Sequence, residues 1–203
     1  MEKIEALEKI VGAERVVVDE DILKGFQTDA SFVAGESPEC LVKPRNMADV
    51  QALVNIANEK KWPLVPCSSQ GQRFNGDTVP QAAGSIIVDL SGMKTIVRVD
   101  KRNKVAMVEP GVTFEQLIDA VEKEGLRVEM PMIPKKGKSV VASLLDREPT
   151  TAPKYNWDGI DPLCCLELIF GTGDFFRTGN SAGPGTLEQQ WASGQAQKIS
   201  MGP

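Results

Sequence analysis

The sequence contains no histidine. A Ser-His-Asp triad, a His-ligated zinc or haem site and a histidyl-linked cofactor are therefore excluded within these residues. Cysteine is scarce: Cys40 and Cys67 stand alone, Cys164 and Cys165 are adjacent, and no C-x-x-C occurs. This argues against a zinc ribbon or a thioredoxin-type pair. It favours reduced thiols in a cytosolic protein over a disulfide framework, with Cys164 and Cys165 inside a strand. No metal site is expected. No apolar run approaches the ~18 residues of a membrane helix. The segment Met1-Glu2-Lys3-Ile4-Glu5 carries acids early and lacks the apolar core of a signal peptide. A cytoplasmic protein without a membrane span is the default. An excess of basic residues is also missing: 23 Lys and Arg face 28 Asp and Glu, a net charge of -5. Non-specific binding to nucleic acid or to an acidic membrane surface depends on the opposite balance.

What is present is a chain of 203 residues, 41% of them apolar, enough to bury a full core. Ile4, Leu7, Glu8 and Val11 fall at helical spacing. Val16-Val17-Val18 reads as extended, and Asp19-Glu20-Asp21 as the N-terminus of a short helix over Ile22 to Gly25. Leu41-Val42 is a strand. Asn46 caps a helix whose apolar face is expected at Met47, Val50, Val54 and Ala57, and Pro63-Leu64-Val65 is the next strand. This β-α-β order predicts parallel strands with a right-handed crossover. After the polar loop 66–80 come the β-rich segments Ser85 to Asp89, Ile96 to Val99 and Val105 to Val108, the last two joined at Arg102-Asn103-Lys104. Thr113-Phe114-Glu115-Gln116 is a capping box, and its helix carries Phe114, Leu117, Ile118 and Val121 on one face and stops at Gly125. Leu126 to Glu129 is read as a strand, Met130 to Lys138 as irregular, Ser139 to Leu145 as a short helix, and Arg147 to Asp161 as a long polar loop. Leu163 to Phe170 and Phe175 to Thr178 form a hairpin about Gly171-Thr172-Gly173-Asp174, and a Gly-rich tail follows, with possible order only around Leu187 to Trp191.

Three motifs read as structure rather than chemistry. Gly171-x-Gly173 leads into a strand, whereas a dinucleotide fingerprint must open a helix. Ser91-x-x-Lys94 has the spacing of Ser-Lys acyl enzymes but lacks their companion motifs, so it is a turn between strands. Arg98, Lys101, Arg102 and Lys104 have no interleaved aromatics on which bases could stack, so they are a solvated hairpin tip. The loop 66–80 differs. It follows a strand directly and is rich in Ser, Gln, Asn and Gly. Backbone N–H groups in such a loop can converge on an anion, and neutral side-chain donors suit a diphosphate. From its residues alone it reads equally well as a plain surface loop.

Five pieces in one order resemble the FAD-binding domain of the vanillyl-alcohol oxidase type, also called the PCMH-type or FAD-linked oxidase N-terminal domain. Leu41-Val42-Lys43-Pro44 matches its "V-x-P" opening, and Pro63-Leu64-Val65-Pro66 the strand before its glycine-rich loop. Val88-Asp89-Leu90-Ser91-Gly92-Met93-Lys94-Thr95-Ile96 matches "V-D-L-S-x-M-x-x-I", and the stretch from Val108 to Leu117 matches "V-x-P-G-V-T-x-x-x-L". The stretch from Cys165 to Gly179 matches "G-L-E-V-V-x-x-x-G-x-x-x-R-T-G".

The resemblance runs from about Pro38 onward and implies an α+β, two-lobed PCMH-type FAD-binding domain, each lobe a small mixed sheet with flanking helices. Residues 1–37 would be a helical lead-in, 38–94 the first lobe, and 95–203 the second, incomplete, lobe with its tail. It implies non-covalent FAD, because Gln72 falls where flavinylated relatives place histidine. It places Ser68, Ser69, Gln70, Gly71, Gln72, Asn75 and Gly76 at the diphosphate, then Pro131, Ser139, Val140 and Ser143, with Asp161 and Leu163 further off. Two departures stand out. Only Gly71 and Gly76 remain of the first loop's glycines, and Ser139-Val140-Val141-Ala142 replaces the second loop's T-[IV]-G-G.

Relatives add a further strand and a substrate-binding cap, so the cap is expected on a longer parent chain or a separate catalytic subunit. The substrate implied is a small 2-hydroxy acid or alcohol, and no catalytic residue can be named, since the base usually comes from the cap. Two other roles compete: a scaffold that keeps the fold without the flavin, and an electron-transfer flavin subunit.

Overall fold

The computed structural model describes residues 2–71, 73–128, 130–131, 136–148 and 163–179. Its first sheet has the order β1-β2-β4-β3, built from Val16–Val17 (β1), Cys40–Val42 (β2), Leu64–Cys67 (β3) and Ile86–Asp89 (β4). β1 pairs antiparallel with β2, while β2 and β3 both run parallel to β4. The expected parallel β-α-β unit is therefore present, with β4 inserted between its two strands. Pro66 sits within β3, which is tolerated because β3 is an edge strand that needs no second ladder partner.

Both faces of this sheet are covered, so its strands are continuous apolar runs rather than alternating ones. Cys40, Val42, Ile86 and Val88 point to one face, against Leu7 and Val11 of α1 (Glu2–Val11) and Leu53 of α3 (Met47–Lys60). Leu41 and Ile87, one residue out of phase, point to the other, against Leu23 of α2 (Glu20–Gln27) and Cys67. Asp19 caps α2 by accepting from the N–H groups of Asp21 and Ile22.

The inner stripe of α3 differs from the one its apolar residues suggest. It runs Asp49-Leu53-Ala57, and Val50 and Val54 are only half-buried. An aspartate can face inward here because Arg45 holds it at 2.7 Å through Nε and 3.0 Å through Nη2, and the Arg45 N–H donates to it as well. The Arg45 side chain keeps the Asp49 carboxyl below its usual range.

The chain continues with the hairpin β5 (Ile96–Asp100) and β6 (Val105–Val108), whose turn is organised by Asp100 accepting from the N–H groups of Arg102 and Asn103. Gly111 then passes into α4 (Phe114–Glu122), which Thr113 and Gln116 open with a reciprocal capping box. Gly125 ends that helix region at φ 70°, with Gly125 N–H on the Glu122 carbonyl and Leu126 N–H on that of Val121, a Schellman arrangement. Ser139 caps the short α5 (Val140–Leu145). Val112, Phe114, Leu117, Val121 and Val140 form the core here. Leu126 and Val128 pack onto it without pairing to a strand, so their apolar character reports burial rather than the strand expected there.

The last described element is the hairpin β7 (Glu167–Ile169) and β8 (Phe175–Arg177). It is shorter than its apolar run. Pairing continues through Leu166 and Thr178, and Gly179 then turns at φ 67° across the Cys164 carbonyl, so Cys164 and Cys165 lie outside the strand and Cys164 is exposed. The hairpin docks on α3, where Gln51 Nε2 donates to the Gly173 carbonyl at 2.8 Å. A Cβ on Gly173 would stand 1.7 Å from Asn55 Oδ1, so only glycine fits. The expected order around Leu187 to Trp191 lies outside the described residues. Among the described residues, no helix is long and apolar enough to cross a membrane.

Candidate functional site

β3 and β4 are parallel neighbours, and both end at one edge of the sheet, at Cys67 and Asp89. In open α/β sheets, ligands sit outside the carboxyl ends of such strands. A cleft of about 250 Å³ lies there, lined by Gly25 and Phe26 of α2, by Cys67, Ser69, Gln70, Gly71 and Arg73, and by Asp89 and Ser91. That is below the ~300–1,000 Å³ of a complete small-molecule pocket. It is too small to enclose a whole dinucleotide.

The loop after β3 meets the segment before α5. The Ser139 N–H donates to Ser69 Oγ at 3.2 Å, and the Gln70 N–H donates to the Gly137 carbonyl at 3.1 Å. A Cβ on Gly137 would lie 3.2 Å from the Gln70 carbonyl oxygen, so the two backbones pass closely. A second link lies further along. Asn75 Nδ2 donates to Asp146 at 3.1 Å, Lys138 Nζ reaches Asp146 at 2.8 Å and Glu148 at 2.6 Å, and Ser143 Oγ donates to Glu148. Burial lowers the Lys138 pKa, but the hydrogen bonds and charges of Asp146 and Glu148 outweigh it and leave the ammonium above its usual range.

The residues expected at a diphosphate thus divide. Ser69, Gln70 and Gly71 line the cleft, and Ser68 adjoins them half-buried. Gly71 has φ 97° with open space where a Cβ would be, and neither it nor Ser68 forms a hydrogen bond with another described residue. Asn75 faces Asp146. Gly76 turns the loop at φ 73° and donates its N–H to Asp29 at 2.7 Å. Burial raises the Asp29 pKa, but the hydrogen bonds from Ser31 and Gly76 and the charge of Arg73 hold it below its usual range.

Ser139 bridges the two segments and donates its Oγ to the Pro110 carbonyl at 2.6 Å. Val140 is buried in the second core, and Ser143 lies on the buried side of α5. Pro131 is buried, and Leu163 is half-buried ahead of the last hairpin. Gln72 and Asp161 lie outside the described residues. Gly25, Phe26, Cys67, Arg73, Asp89 and Ser91 also line the cleft but were not among the expected site residues. Arg73 stood in the loop in plain view, whereas nothing in the pattern of α2 marks Phe26 as more than a core-facing aromatic.

The site thus joins a parallel-strand edge, an open positive-φ glycine and two loops closed on one another. The sequence model described as "FAD binding domain" matches residues 38–145, and the chain belongs to that family. It is 30% identical over 187 residues to the flavoprotein subunit of 4-cresol dehydrogenase [hydroxylating] of Pseudomonas putida, covering 90% of this chain and 35% of that protein. It is 27% identical over 154 residues to glycolate oxidase subunit GlcD of Bacillus subtilis, covering 76% of this chain and 32% of that one. Its fold superposes on the crystal structure of p-cresol methylhydroxylase with substrate bound at a TM-score of 0.73 and 27% identity, over 100% of this chain and 38% of that chain. The chain is an FAD-binding domain of the PCMH type, homologous to flavin-dependent oxidoreductases. It spans about a third of the length of these curated relatives.

The residues fit the cofactor. The cleft offers hydroxyl, amide and guanidinium donors around open backbone, and one loop glycine leaves room for an approach that a Cβ would fill.

Proposed function

We propose that this domain binds FAD non-covalently, with Ser68, Ser69, Gln70 and Gly71 at the diphosphate, as the cofactor-holding part of an oxidoreductase acting on a small 2-hydroxy acid or alcohol. The observation that carries this is the open, donor-rich turn at Gly71, at the carboxyl end of β3 and braced by Ser139. Bound FAD would accept a hydride from the substrate. The chain's own part is to hold and orient: the loop after β3 presents N–H and O–H donors, and the Ser69–Ser139 and Gln70–Gly137 bonds fix its distance from the second lobe. The absence of histidine supports the non-covalent mode, since no histidyl link to the flavin can form from these residues.

The substrate-binding cap and its catalytic base belong, on this reading, to a longer parent chain or a separate subunit. The name of the P. putida relative, a flavoprotein subunit, supports a partner. The four free cysteines support a reducing, cytoplasmic location.

One observation favours the scaffold role. The N–H groups of Ser139, Val140 and Ala142, at the second cofactor loop, are already engaged by Ser69 Oγ, the Val112 carbonyl and Ser139 Oγ. Titration of the protein with FAD, followed by flavin fluorescence, separates the two readings. Saturable binding supports the cofactor role, and its absence at high micromolar FAD supports the scaffold.

A further inference from the structure

The family match begins at residue 38, yet the cleft is closed on one side by residues that precede it. Phe26 and Gly25 belong to the last turn of α2. The Arg73 guanidinium lies 4.4 Å from the centre of the Phe26 ring, a cation–π stack. Its Nη2 donates to the Gly25 carbonyl and reaches that of Thr28 at 3.4 Å, while Nη1 reaches Thr78 Oγ1 at 3.5 Å. The Ala30 N–H returns to the Arg73 carbonyl at 2.9 Å. The end of α2 thus grips this arginine by its ring face, its donors and its backbone.

That grip leaves the guanidinium without a contacting carboxylate, and the charge of Asp29 acts on it only at longer range. Arg73 forms no ion pair with a carboxylate among the described residues. The nearby Asp29 spends its oxygens on the N–H groups of Ser31 and Gly76. Asp89, which accepts the Ser91 N–H at 3.0 Å, also lines the cleft and is its other formal charge. Without Arg73 the lining would carry one carboxylate and no cation, and it would repel a diphosphate.

On the reading that the cleft takes part of FAD, we infer that Arg73 supplies the positive charge that offsets the cofactor's diphosphate, with Phe26 as its positioning residue. The segment from Gly25 to Thr28 thereby becomes part of the cofactor site although it lies outside the matched family region. A guanidinium already stacked and half desolvated needs little rearrangement to meet a phosphate, so its charge acts at close range rather than through bulk water.

The test is a binding titration of the whole 203-residue chain with FAD and, in parallel, with riboflavin, which carries the flavin ring without phosphates. Arg73→Gln should raise the Kd for FAD at least tenfold and leave riboflavin unchanged. Arg73→Lys should recover most of the loss, and Phe26→Leu should weaken FAD about threefold. Wild-type affinity for FAD should fall with added salt, more steeply than that of Arg73→Gln. Equal losses for FAD and riboflavin, or a salt dependence unaltered by Arg73→Gln, would show Arg73 to be a brace for the loop and overturn the inference. An unchanged FAD Kd in Arg73→Gln would overturn it while the FAD reading stands. A wild-type chain that binds neither flavin would remove both.

Discussion

Gly111 is where the fold and the cleft depend on a single missing methyl group. It sits between β6 and α4, within the Glu109-Pro110-Gly111-Val112-Thr113 stretch. A Cβ at this position would stand 2.6 Å from the carbonyl oxygens of Leu90 and Ser91 and 2.7 Å from that of Met93. All three are backbone atoms, so no side chain can swing away. The Gly111 N–H also donates to the Met93 carbonyl at 2.7 Å, and retreat of the 90–93 turn would break that bond. Overpacking costs about 1–3 kcal/mol and a lost internal hydrogen bond about 1 kcal/mol. Gly111→Ala should therefore destabilise the chain by about 3 kcal/mol, or roughly 6–12 °C in Tm for a domain of this size.

Ser91 and Asp89 line the cleft from the same turn, so FAD affinity should fall as well. Gly92→Ala is the control, because a Cβ there meets nothing within 4 Å. Thermal unfolding followed by circular dichroism, with FAD titration of each variant, is the assay. A Gly111→Ala protein that melts within a degree of wild type would show that the turn gives way freely and that the packing argument is wrong.

Other consequences follow from the charged groups and thiols. Asp49 has a depressed folded-state pKa, so its contribution is present above the ordinary carboxylate range and is lost as pH falls through the folded value. Asp49→Asn should therefore lower Tm at pH 7, and the gap to wild type should narrow as the solution is taken below pH ~4. Lys138 has a raised pKa, so its contribution is present below ~10.4 and is lost as pH rises through the folded value. Lys138→Met should lower Tm at pH 7, and an effect no larger than that of an exposed lysine would contradict the network joining Lys138, Asp146 and Glu148. Gly173→Ala should loosen the last hairpin from α3, seen as faster amide exchange at β7 with the first sheet unchanged. Cys164 should react first with a thiol reagent. Cys40, whose thiol burial pushes up to about 11, should react only on unfolding.

Local signals carried most of the fold. Thr113 with Gln116, Asn46 and Gly125 mark helix ends through hydrogen bonds made within a few residues, and such contacts are written in adjacent letters. The parallel pairing of β2 and β3 was legible from the helix between them, but the insertion of β4 was not, because strand order is settled by packing on both faces. The inward place of Asp49 was not legible for a similar reason. Its inward position depends on Arg45 and on the sheet beneath, while periodicity counts only apolar residues. Leu126 and Val128 are apolar without being paired, and an apolar run alone does not separate those two fates. At the site, the loop after β3 was recognisable from its composition and its place in the family pattern. The contribution of α2 was not, since Phe26 and Arg73 are far apart in sequence and meet only when α2 folds over the sheet edge.

The most direct test of the account is whether the purified chain, incubated with FAD and then desalted, carries flavin absorbance that coelutes with the protein and is released on denaturation. The account predicts retained, releasable flavin near one per chain, with Gly71→Val abolishing it, because a β-branched side chain both fills the open turn and cannot hold its φ of 97° without strain. A protein that elutes colourless, and whose fluorescence titration with FAD shows no saturation, would contradict it.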